Sequence, residues 1–293
     1  MGGALTDWTP WKPIAPRASM PPHTLAELLD GGQTFRWNRL PGGVWEGTWG
    51  DHQARLRIGR SHRIECSAPR AIEERVTSAL PEYLGLSEFQ SGMLDALPWR
   101  SDPVLADAMR AFPGLRILRQ PSGETLFCFL CSSSKRIAQI KAIASDVATR
   151  YGEPIPGGAR RLPGWERIAG IDEDALRACR LGYRAAYIAA TARILATHPG
   201  WLDETFARPS SETRARLITL PGVGGKIADC VRLFGGGQFD AFPLDTWILK
   251  AMRTWYNLHG WAPDRIQHFA RIHFGPGAGL AQQYLYAHAR ANL

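Results

Sequence analysis

The stretch Leu220-Pro-Gly-Val-Gly-Gly-Lys226 lies between two segments whose apolar residues have helical spacing, and Asp245 follows it in Phe242-Pro-Leu-Asp-Thr246. Pro-Gly-x-Gly in this setting predicts a tight helix-turn-helix, because glycine adopts positive φ and leaves backbone N–H groups uncovered at the next helix N-terminus. Those N–H groups suit a phosphate oxygen. We expect Lys226 in the first turn of the second helix and Asp245 at the N-cap of the helix after it. An amine and a carboxylate beside a phosphate indicate a chemical site.

The charge of the chain favours a partner that carries phosphate. Lys and Arg total 35 against 27 Asp and Glu in 293 residues, so the net charge is +8 and the pI is near 9.5. Guanidinium groups bind phosphate oxygens two at a time. Charge alone leaves open a basic protein with no such partner. Only five of the 35 Lys and Arg residues are lysines, at positions 12, 135, 141, 226 and 250. Because lysine is scarce, the one directly after the hairpin, Lys226, is of interest.

The cysteines indicate a reducing compartment. They are five in number and scattered, which argues against a disulfide framework. Cys128 and Cys131 have CxxC spacing without a second pair, and their apolar surroundings predict a buried helix face rather than a metal site. No closely spaced group of four cysteines stands near the C-terminus, so an iron–sulfur cluster is not expected.

The sequence predicts no membrane partner. No run approaches the roughly 18 apolar residues that span a bilayer, and the first residues do not resemble a signal peptide. We therefore expect an intracellular protein, in the cytoplasm and nucleoid of a bacterium or in the nucleus of a eukaryote.

The apolar periodicity changes once along the chain. Polar and apolar residues first alternate between glycine-containing turns, which predicts an antiparallel meander in four segments: 33–38, 44–49, 52–58 and 63–66. Helical spacing then prevails in eight segments: 71–79, 103–111, 124–150, 173–196, 211–219, 225–235, 245–257 and 264–273. The predicted fold class is α+β. An N-terminal domain with an antiparallel β-sheet occupies 1–112, and a mostly α-helical region occupies 113–293, with a subdomain connector near 151–165 and the hairpin at 218–226.

Several motifs besides the hairpin occur in order along the chain: Gly31-Gly-Gln-Thr-Phe-Arg-Trp37, Arg116-Ile-Leu-Arg-Gln120, Leu126-Phe-Cys-Phe-Leu-Cys-Ser-Ser133, Leu181-Gly-Tyr-Arg-Ala185 and Gly275-Pro-Gly-Ala-Gly-Leu-Ala-Gln282. Together with the hairpin, Lys226 and Asp245, they resemble the 8-oxoguanine DNA glycosylase branch of the helix-hairpin-helix DNA glycosylase superfamily. The order and separation of the motifs are more specific than a hairpin alone, which is equally typical of DNA-binding proteins without catalysis.

The resemblance implies a bifunctional DNA glycosylase and abasic-site (AP) lyase of base excision repair. Such an enzyme flips 8-oxoguanine, an oxidised purine, out of duplex DNA and excises it. Lys226 would attack the sugar C1′, forming a Schiff base that eliminates the 3′ phosphate, and this attack requires a neutral amine. Asp245 would stabilise positive charge on the sugar and help to deprotonate the nucleophile. The residues alone leave open a phosphate contact for Lys226 and a simple helix cap for Asp245.

Four further positions match residues with which the family recognises the base. Gly32 matches a glycine whose carbonyl reads the N7 hydrogen that 8-oxoguanine has and guanine lacks. Cys230 matches a cysteine that lies against the purine, although burial as a small apolar residue is as good an explanation. Gln282 and Tyr286 match a glutamine at the Watson–Crick edge and a stacking aromatic. Their four-residue spacing also describes a core stripe.

The hairpin is expected to contact the DNA backbone and a cation. The backbone contacts are assigned to Gly222, Val223, Gly224 and Gly225. The resemblance also implies a metal cation held by main-chain carbonyls, here those of Ile218, Leu220 and Val223. No organic cofactor is required.

The sequence departs from the family's pattern on the side of the opposite strand. Ser134-Lys135-Arg136 stands where the family has an asparagine run, and Gln139 replaces an arginine that contacts the orphaned cytosine. Trp247 replaces a phosphate-contacting histidine. Intercalation or opposite-strand contact is therefore assigned to a group of candidates: Ser134, Lys135, Arg136, Gln139, Tyr183 and Arg184. The preferred opposite base stays open.

We expect a monomer whose partner is damaged double-stranded DNA. Two alternatives remain. One is a glycosylase of the same fold that acts on alkylated or other damaged bases, and the other is a non-catalytic protein that binds DNA damage. The second would have no need for an amine and a carboxylate at this spacing.

Overall fold

An antiparallel sheet forms the N-terminal part of the computed structural model, which describes residues 7–14 and 18–293. Its strands are β1 (Lys12–Pro13), β2 (Trp37–Arg39), β3 (Trp45–Trp49), β4 (His52–Ile58) and β5 (Ile64–Ser67). Their order is β1-β5-β4-β3-β2, and every neighbouring pair is antiparallel. The predicted meander is confirmed for β2 to β5, and β1 adds an edge strand that alternation did not reveal.

The first predicted strand was placed too early. Gln33 lies outside β2 because its side chain pairs with another part of the backbone: Nε2 donates to the Arg116 carbonyl at 2.8 Å, and Oε1 accepts from the Leu118 amide at 2.9 Å. The preceding Gly32 has φ +110°. Residues 31–36 therefore form a turn that is tied to the helical body.

A helical body follows the sheet, as predicted. The helices are α1 (Pro22–Asp30), α2 (Glu73–Tyr83), α3 (Glu88–Ala96), α4 (Pro103–Ala111), α5 (Ser122–Leu130), α6 (Ile137–Tyr151), α7 (Trp165–Ala169), α8 (Glu173–Leu176), α9 (Arg184–Thr197), α10 (Trp201–Phe206), α11 (Ser210–Ile218), α12 (Gly225–Phe234), α13 (Thr246–Trp255), α14 (Pro263–Phe274) and α15 (Ala278–Asn292). Among the described residues, no helix is both long and apolar enough to cross a membrane.

Two of the predicted helices are wrong as continuous elements. The segment 124–150 is divided between α5 and α6 by a turn in which Ser134 takes a left-handed φ of +52°. The segment 173–196 is divided between α8 and α9, because Arg180 and Gly182 have φ of +66° and +59°. A residue with left-handed φ cannot continue a right-handed helix. The sequence does not reveal either break, because apolar residues keep helical spacing on both sides of it.

The connector predicted near 151–165 packs on the sheet rather than only joining helices. The Ala159 amide donates to Gln53 Oε1 at 3.4 Å, the Arg36 guanidinium donates to the Arg160 carbonyl, and Arg161 pairs with Asp51 at 3.1 Å. The connector thus ties the helical body to the sheet. The domain division after residue 112 stays a prediction.

Aromatic side chains form the core between the sheet and α2. Trp37 is fully buried and donates its Nε1–H to the Tyr83 hydroxyl at 2.8 Å. Trp49 stacks on Tyr83 with ring centroids 4.4 Å apart. Because buried aromatics contribute large apolar areas, these contacts help to hold the sheet against α2.

Candidate active site

The hairpin has the predicted helix-turn-helix geometry, with α11 ending at Ile218 and α12 beginning at Gly225. Gly222 has φ +79°, and a Cβ at this position would lie 2.8 Å from the Tyr187 ring on α9. Leu220 and Val223 are buried and anchor the turn. Glycine is therefore required at position 222 for both its backbone conformation and its packing.

Lys226 is the second residue of α12 and is half-buried. Its Nζ donates to Ser132 Oγ at 3.4 Å and lies 5.4 Å from the centre of the Phe129 ring. The Ser132 hydroxyl donates to the Phe129 carbonyl at 2.7 Å, so its oxygen faces Lys226 as an acceptor. The amine thus lies beside one aromatic ring and has one hydrogen-bond acceptor.

Asp245 is the N-cap of α13, as predicted. Its Oδ1 accepts from the Ile248 amide at 2.8 Å. Burial raises the pKa of Asp245, and the Ile248 amide and the Lys226 charge offset part of this rise. The cap fixes the carboxylate in one orientation, and a raised pKa brings its proton exchange closer to neutral pH.

Ten of the predicted site residues lie in the wall of one cavity of about 780 Å³, which is within the usual size range of ligand pockets, and six of them are the candidates for catalysis and base contact. They come from the sheet domain, the hairpin helix, α13 and α15: Gly32, Lys226, Cys230, Asp245, Gln282 and Tyr286. The structure therefore assembles both proposed catalytic groups and all four proposed base-contacting residues around one space.

The base-contacting candidates are held firmly. The Gln282 amide is buried, donates to the Pro243 carbonyl at 3.0 Å and accepts from Gln283 Nε2 at 2.6 Å. A Cβ on Gly32 would lie 3.4 Å from the Tyr286 hydroxyl, so these two residues face each other at contact distance. Cys230 is buried, and burial raises the pKa of its thiol to about 12. The thiol is therefore neutral at physiological pH.

The turn between α5 and α6 forms another part of the cavity wall. It contains Ser134, Lys135 and Arg136, and Gln139 follows in the first turn of α6. Gln139 Oε1 accepts from the Arg136 amide at 2.9 Å and so caps α6. Gln139 has a structural function here in addition to its exposed position at the cavity.

Tyr183 and Arg184 are neighbours in sequence but differ in position. Tyr183 is 53 % exposed and is available to a partner, whereas Arg184 is only 4 % exposed. The Arg184 guanidinium donates to the carbonyls of Ser133 and Leu181. The prediction of an opposite-strand contact therefore does not fit Arg184, which instead holds the turn between α5 and α6 from behind.

Sequence reasoning missed several residues of the cavity wall, among them Ser132, Phe129, Phe35 and Arg290. A signal existed for one of them. Arg290 follows Tyr286 at the same four-residue spacing that joins Gln282 to Tyr286. Ser132 lies within a quoted motif, but only the three-dimensional structure brings its hydroxyl to Lys226.

No cluster of side chains in the described parts of the chain suits a metal ion. All five cysteines are buried and free. The hairpin carbonyls are a different kind of donor. The Leu220 carbonyl accepts from the Val223 amide at 3.1 Å and keeps a second lone pair.

Comparison with known proteins identifies the family. The 8-oxoguanine DNA glycosylase N-terminal domain matches residues 19–126, and the HhH-GPD superfamily of base excision DNA repair proteins matches residues 127–272. The N-glycosylase/DNA lyase OGG1 of Arabidopsis thaliana is 31 % identical to this chain, over 90 % of the chain and 76 % of the relative. The chain belongs to the 8-oxoguanine DNA glycosylase family. The resemblance carried by the sequence motifs is confirmed.

Solved structures of the family agree. The Clostridium acetobutylicum 8-oxoguanine glycosylase/lyase, in complex with double-stranded DNA containing cytosine opposite 8-oxoguanine, gives a TM-score of 0.83 at 28 % identity and covers 92 % of each chain. MBOgg1 in complex with a low-affinity DNA ligand gives 0.83 at 32 % identity, over 90 % of this chain and 91 % of the other. The 3-methyladenine DNA glycosylase of Archaeoglobus fulgidus, at 19 % identity and a TM-score of 0.74, shares the fold.

Proposed function

We propose that this protein is a DNA glycosylase with AP lyase activity, which excises 8-oxoguanine from duplex DNA through a Schiff base on Lys226. The observation that carries the proposal is the single cavity in whose wall Lys226, Asp245, Gly32 and Tyr286 lie. A base inside a duplex is inaccessible to such a cavity. The damaged nucleotide must therefore leave the stack, at a cost of a few kcal/mol that contacts in the cavity offset.

Lys226 performs the covalent step. Its neutral Nζ bonds to the sugar C1′ while the glycosidic bond breaks, and the electron pair of that bond leaves with the base, which takes up a proton. The resulting C1′–N linkage opens the sugar ring to an imine. Loss of a proton from C2′ and departure of the 3′ phosphate then cleave the strand. Attack requires a neutral amine, and Lys226 Nζ reaches the cavity beside the Phe129 ring and the Ser132 hydroxyl.

Asp245 stabilises the positive charge that develops on the sugar as the base departs. Its N-cap bond to Ile248 holds the carboxylate in place during the reaction, so little reorganisation is needed. The raised pKa of Asp245 also makes its carboxylate a suitable acceptor for the proton that Lys226 gives up.

The remaining wall residues select the base. Gly32 offers its carbonyl to the N7 hydrogen of 8-oxoguanine, Gln282 contacts the Watson–Crick edge, and Tyr286 stacks on the purine. Cys230, a neutral thiol one helical turn after Lys226, packs against the other side of the base. Each role is consistent with the placement of the side chain at the cavity.

The hairpin binds the DNA backbone beside the flipped nucleotide. The N-terminus of α12 presents backbone N–H groups at Gly224 and Gly225, and a helix N-terminus favours a phosphate. Gly222 and Val223 complete the turn. A cation held by the carbonyls of Ile218, Leu220 and Val223 would add positive charge at the phosphate, and the second lone pair of the Leu220 carbonyl is compatible with that role.

Opposite-strand contact comes from the exposed Tyr183 and from the side chains of the turn, of which Ser134 and Arg136 are exposed and Lys135 is half-buried. Ser134-Lys135-Arg136 replaces the asparagine run of the family pattern and Gln139 replaces its arginine, so the protein reads the opposite base in its own way. The site of action is the cellular DNA, in the nucleoid of a bacterium or the nucleus of a eukaryote.

Borohydride trapping tests the proposal. The protein is incubated with duplexes that contain 8-oxoguanine opposite each of the four bases, and sodium borohydride reduces any Schiff base to a stable adduct. We expect a covalent protein–DNA adduct and strand cleavage on at least one duplex. Folded protein that binds every duplex but never forms an adduct would contradict the lyase assignment. Adducts only with duplexes that carry alkylated bases would favour the alternative substrate.

A further inference from the structure

Arg290 extends the helical face on which Gln282 and Tyr286 lie, four residues further along α15. Its Nη1 donates to both carboxylate oxygens of Glu27, at 3.2 and 3.3 Å, and to the Gly31 carbonyl at 3.1 Å. Arg290 therefore joins the last helix of the chain to α1 and to the turn that follows α1.

The same guanidinium also contacts the aromatic wall of the cavity. Its central carbon lies 5.5 Å from the centre of the Tyr286 ring, within the range of a cation–π contact. The Arg290 side chain is 32 % exposed and that of Glu27 is 18 % exposed. Because the Glu27 carboxylate already balances its charge, Arg290 is poorly placed to act as a free phosphate-binding cation.

The turn that Arg290 contacts has no space for a side chain at Gly31. A Cβ on Gly31 would lie 2.2 Å from the Glu27 carbonyl oxygen and 2.3 Å from Glu27 Oε1. Gly32 follows with φ +110° and faces the Tyr286 hydroxyl. The Gly31 carbonyl belongs to the peptide bond that joins these two glycines. A hydrogen bond to it therefore fixes the orientation of that peptide plane and, with it, the position of Gly32.

We infer that Arg290 is a positioning residue for base discrimination: it holds the Gly31–Gly32 turn and the Tyr286 ring at a fixed separation, and thereby sets the preference for an oxidised purine over guanine. The inference rests on the proposed function, in which these two walls contact the base. Discrimination between purines that differ at N7 and C8 requires an acceptor placed to within about 0.5 Å. The Arg290 guanidinium donates from Nη1 to a carbonyl and a carboxylate while its plane lies against the Tyr286 ring, whereas a lysine ammonium has no planar group to stack on the ring.

Two measurements test Arg290→Met and Arg290→Lys. The first is the ratio of dissociation constants for duplexes that contain guanine or 8-oxoguanine, taken in a Lys226→Gln background that cannot cleave. The second is cleavage of a pre-formed abasic site by the enzyme with Lys226 intact, where no base is present to be recognised. We expect Arg290→Met to lower the ratio about tenfold, as the loss of a hydrogen bond from a charged donor implies, and to leave abasic-site cleavage within about twofold.

Further variants separate positioning from general damage to the fold. Glu27→Gln weakens the partner of Arg290 in this contact and should also lower the ratio of dissociation constants. The double variant Glu27→Gln/Arg290→Met should lower the ratio by less than the two single effects combined. Lys141→Met, which breaks the nearby ion pair with Asp30 (2.8 Å), is the matched control and should leave the ratio unchanged.

The outcomes distinguish this inference from the proposed function. An unchanged ratio in Arg290→Met, or an equal fall in abasic-site cleavage, overturns the positioning role while adduct formation by the unaltered protein still stands. An equal loss in the Lys141→Met control also overturns it. Failure of the unaltered protein to form any adduct would instead count against the proposed function.

Discussion

Helix α12, which follows the hairpin at 220–225, and the turn at 131–136 both contribute to the wall of one cavity, and different forces hold the hairpin and the turn. The hairpin depends on backbone geometry and packing: Gly222 has positive φ and lies against the Tyr187 ring, while Leu220 and Val223 are buried. The turn depends on hydrogen bonds to its backbone. The Lys135 amide donates to the Ser132 carbonyl at 3.2 Å, and the Arg184 guanidinium donates to the Ser133 carbonyl.

This difference explains which side can vary in sequence. A glycine at position 222 cannot be replaced without strain. The bonds that hold the turn are made mainly by its backbone, so the side chains at 134–136 can change without loss of the fold. The proposed nucleophile thus follows the segment that packing constrains, and the proposed opposite-strand contacts lie on the turn whose side chains can change.

A buried polar network strengthens the rigid side further. Asp229, on the face of α12 directed away from the cavity, accepts from Arg232 at 2.9 Å, Arg214 at 3.2 Å and Gln267 at 2.7 Å. These partners lie on α12, α11 and α14. Charges buried in this way need their partners, so the network fixes the helix that carries Lys226.

Replacing Lys226 should give the largest effect of any single change. Lys226→Gln keeps a polar, unbranched side chain of similar size but has no nucleophilic amine, so we expect at least about a thousandfold loss of strand cleavage and no borohydride-trapped adduct. DNA binding, measured by fluorescence anisotropy, should stay within a few-fold of the unaltered protein. Lys250→Gln, on the exposed side of α13, is the control. Undiminished cleavage by Lys226→Gln would exclude this lysine as the nucleophile.

The pH dependence of base release should report on Asp245. Burial raises the pKa of this carboxyl, so its charge is lost as the pH falls through a value above that of an ordinary aspartate. The single-turnover rate should therefore decline on the acid side within that higher range. Asp245→Asn retains a good helix cap but lacks the charge, so we expect about a hundredfold lower rate at neutral pH and a flatter acid limb. An unchanged acid limb in Asp245→Asn would assign the titration to another group.

Alanine substitutions at two glycines of the hairpin should affect stability, and by different amounts. Gly222→Ala forces a side chain into positive φ and into the Tyr187 ring, and should lower the free energy of unfolding by about 1–3 kcal/mol. Gly224 has φ −91°, and no atom of the described residues lies within 4 Å of a Cβ built there. Gly224→Ala should therefore change stability by less than about 1 kcal/mol. Urea denaturation without DNA measures both, and equal losses would contradict the account of the hairpin.

Much of the fold could be predicted from the sequence because its signals are local. Alternation between glycine turns indicated β3, β4 and β5, and helical spacing indicated α4, α11 and α12 almost to the residue. The breaks at Ser134 and Arg180 could not be predicted, since neither residue type favours positive φ strongly and the apolar pattern continues on both sides. The short strand β1 likewise depends on pairing with distant β5.

The site was predictable where a family motif marked it. Lys226 and Asp245 stand in such motifs, and the N-cap position of Asp245 followed from the helix pattern alone. The burial of Arg184 did not follow, because the sequence next to Tyr183 does not reveal which of two neighbours points inward. The contacts of Ser132 and Arg290 join residues far apart in the chain, so only the folded structure shows them.

The smallest expected effect is on the turn side of the cavity, at Ser132. Its hydroxyl accepts a hydrogen bond from Lys226 Nζ and donates to the Phe129 carbonyl, so it restrains the amine without taking part in the reaction. Ser132→Ala should lower the single-turnover rate of base release about three- to tenfold, as expected for one hydrogen bond, while Ser132→Thr, which retains the hydroxyl, should recover most of it. Ser78→Ala removes a similar bond between a serine hydroxyl and the carbonyl three residues earlier, far along the chain in α2, and should have no effect. If Ser132→Ala instead approached the loss seen in Lys226→Gln, the turn would be as important to the chemistry as the hairpin, and the division between the two sides would not hold.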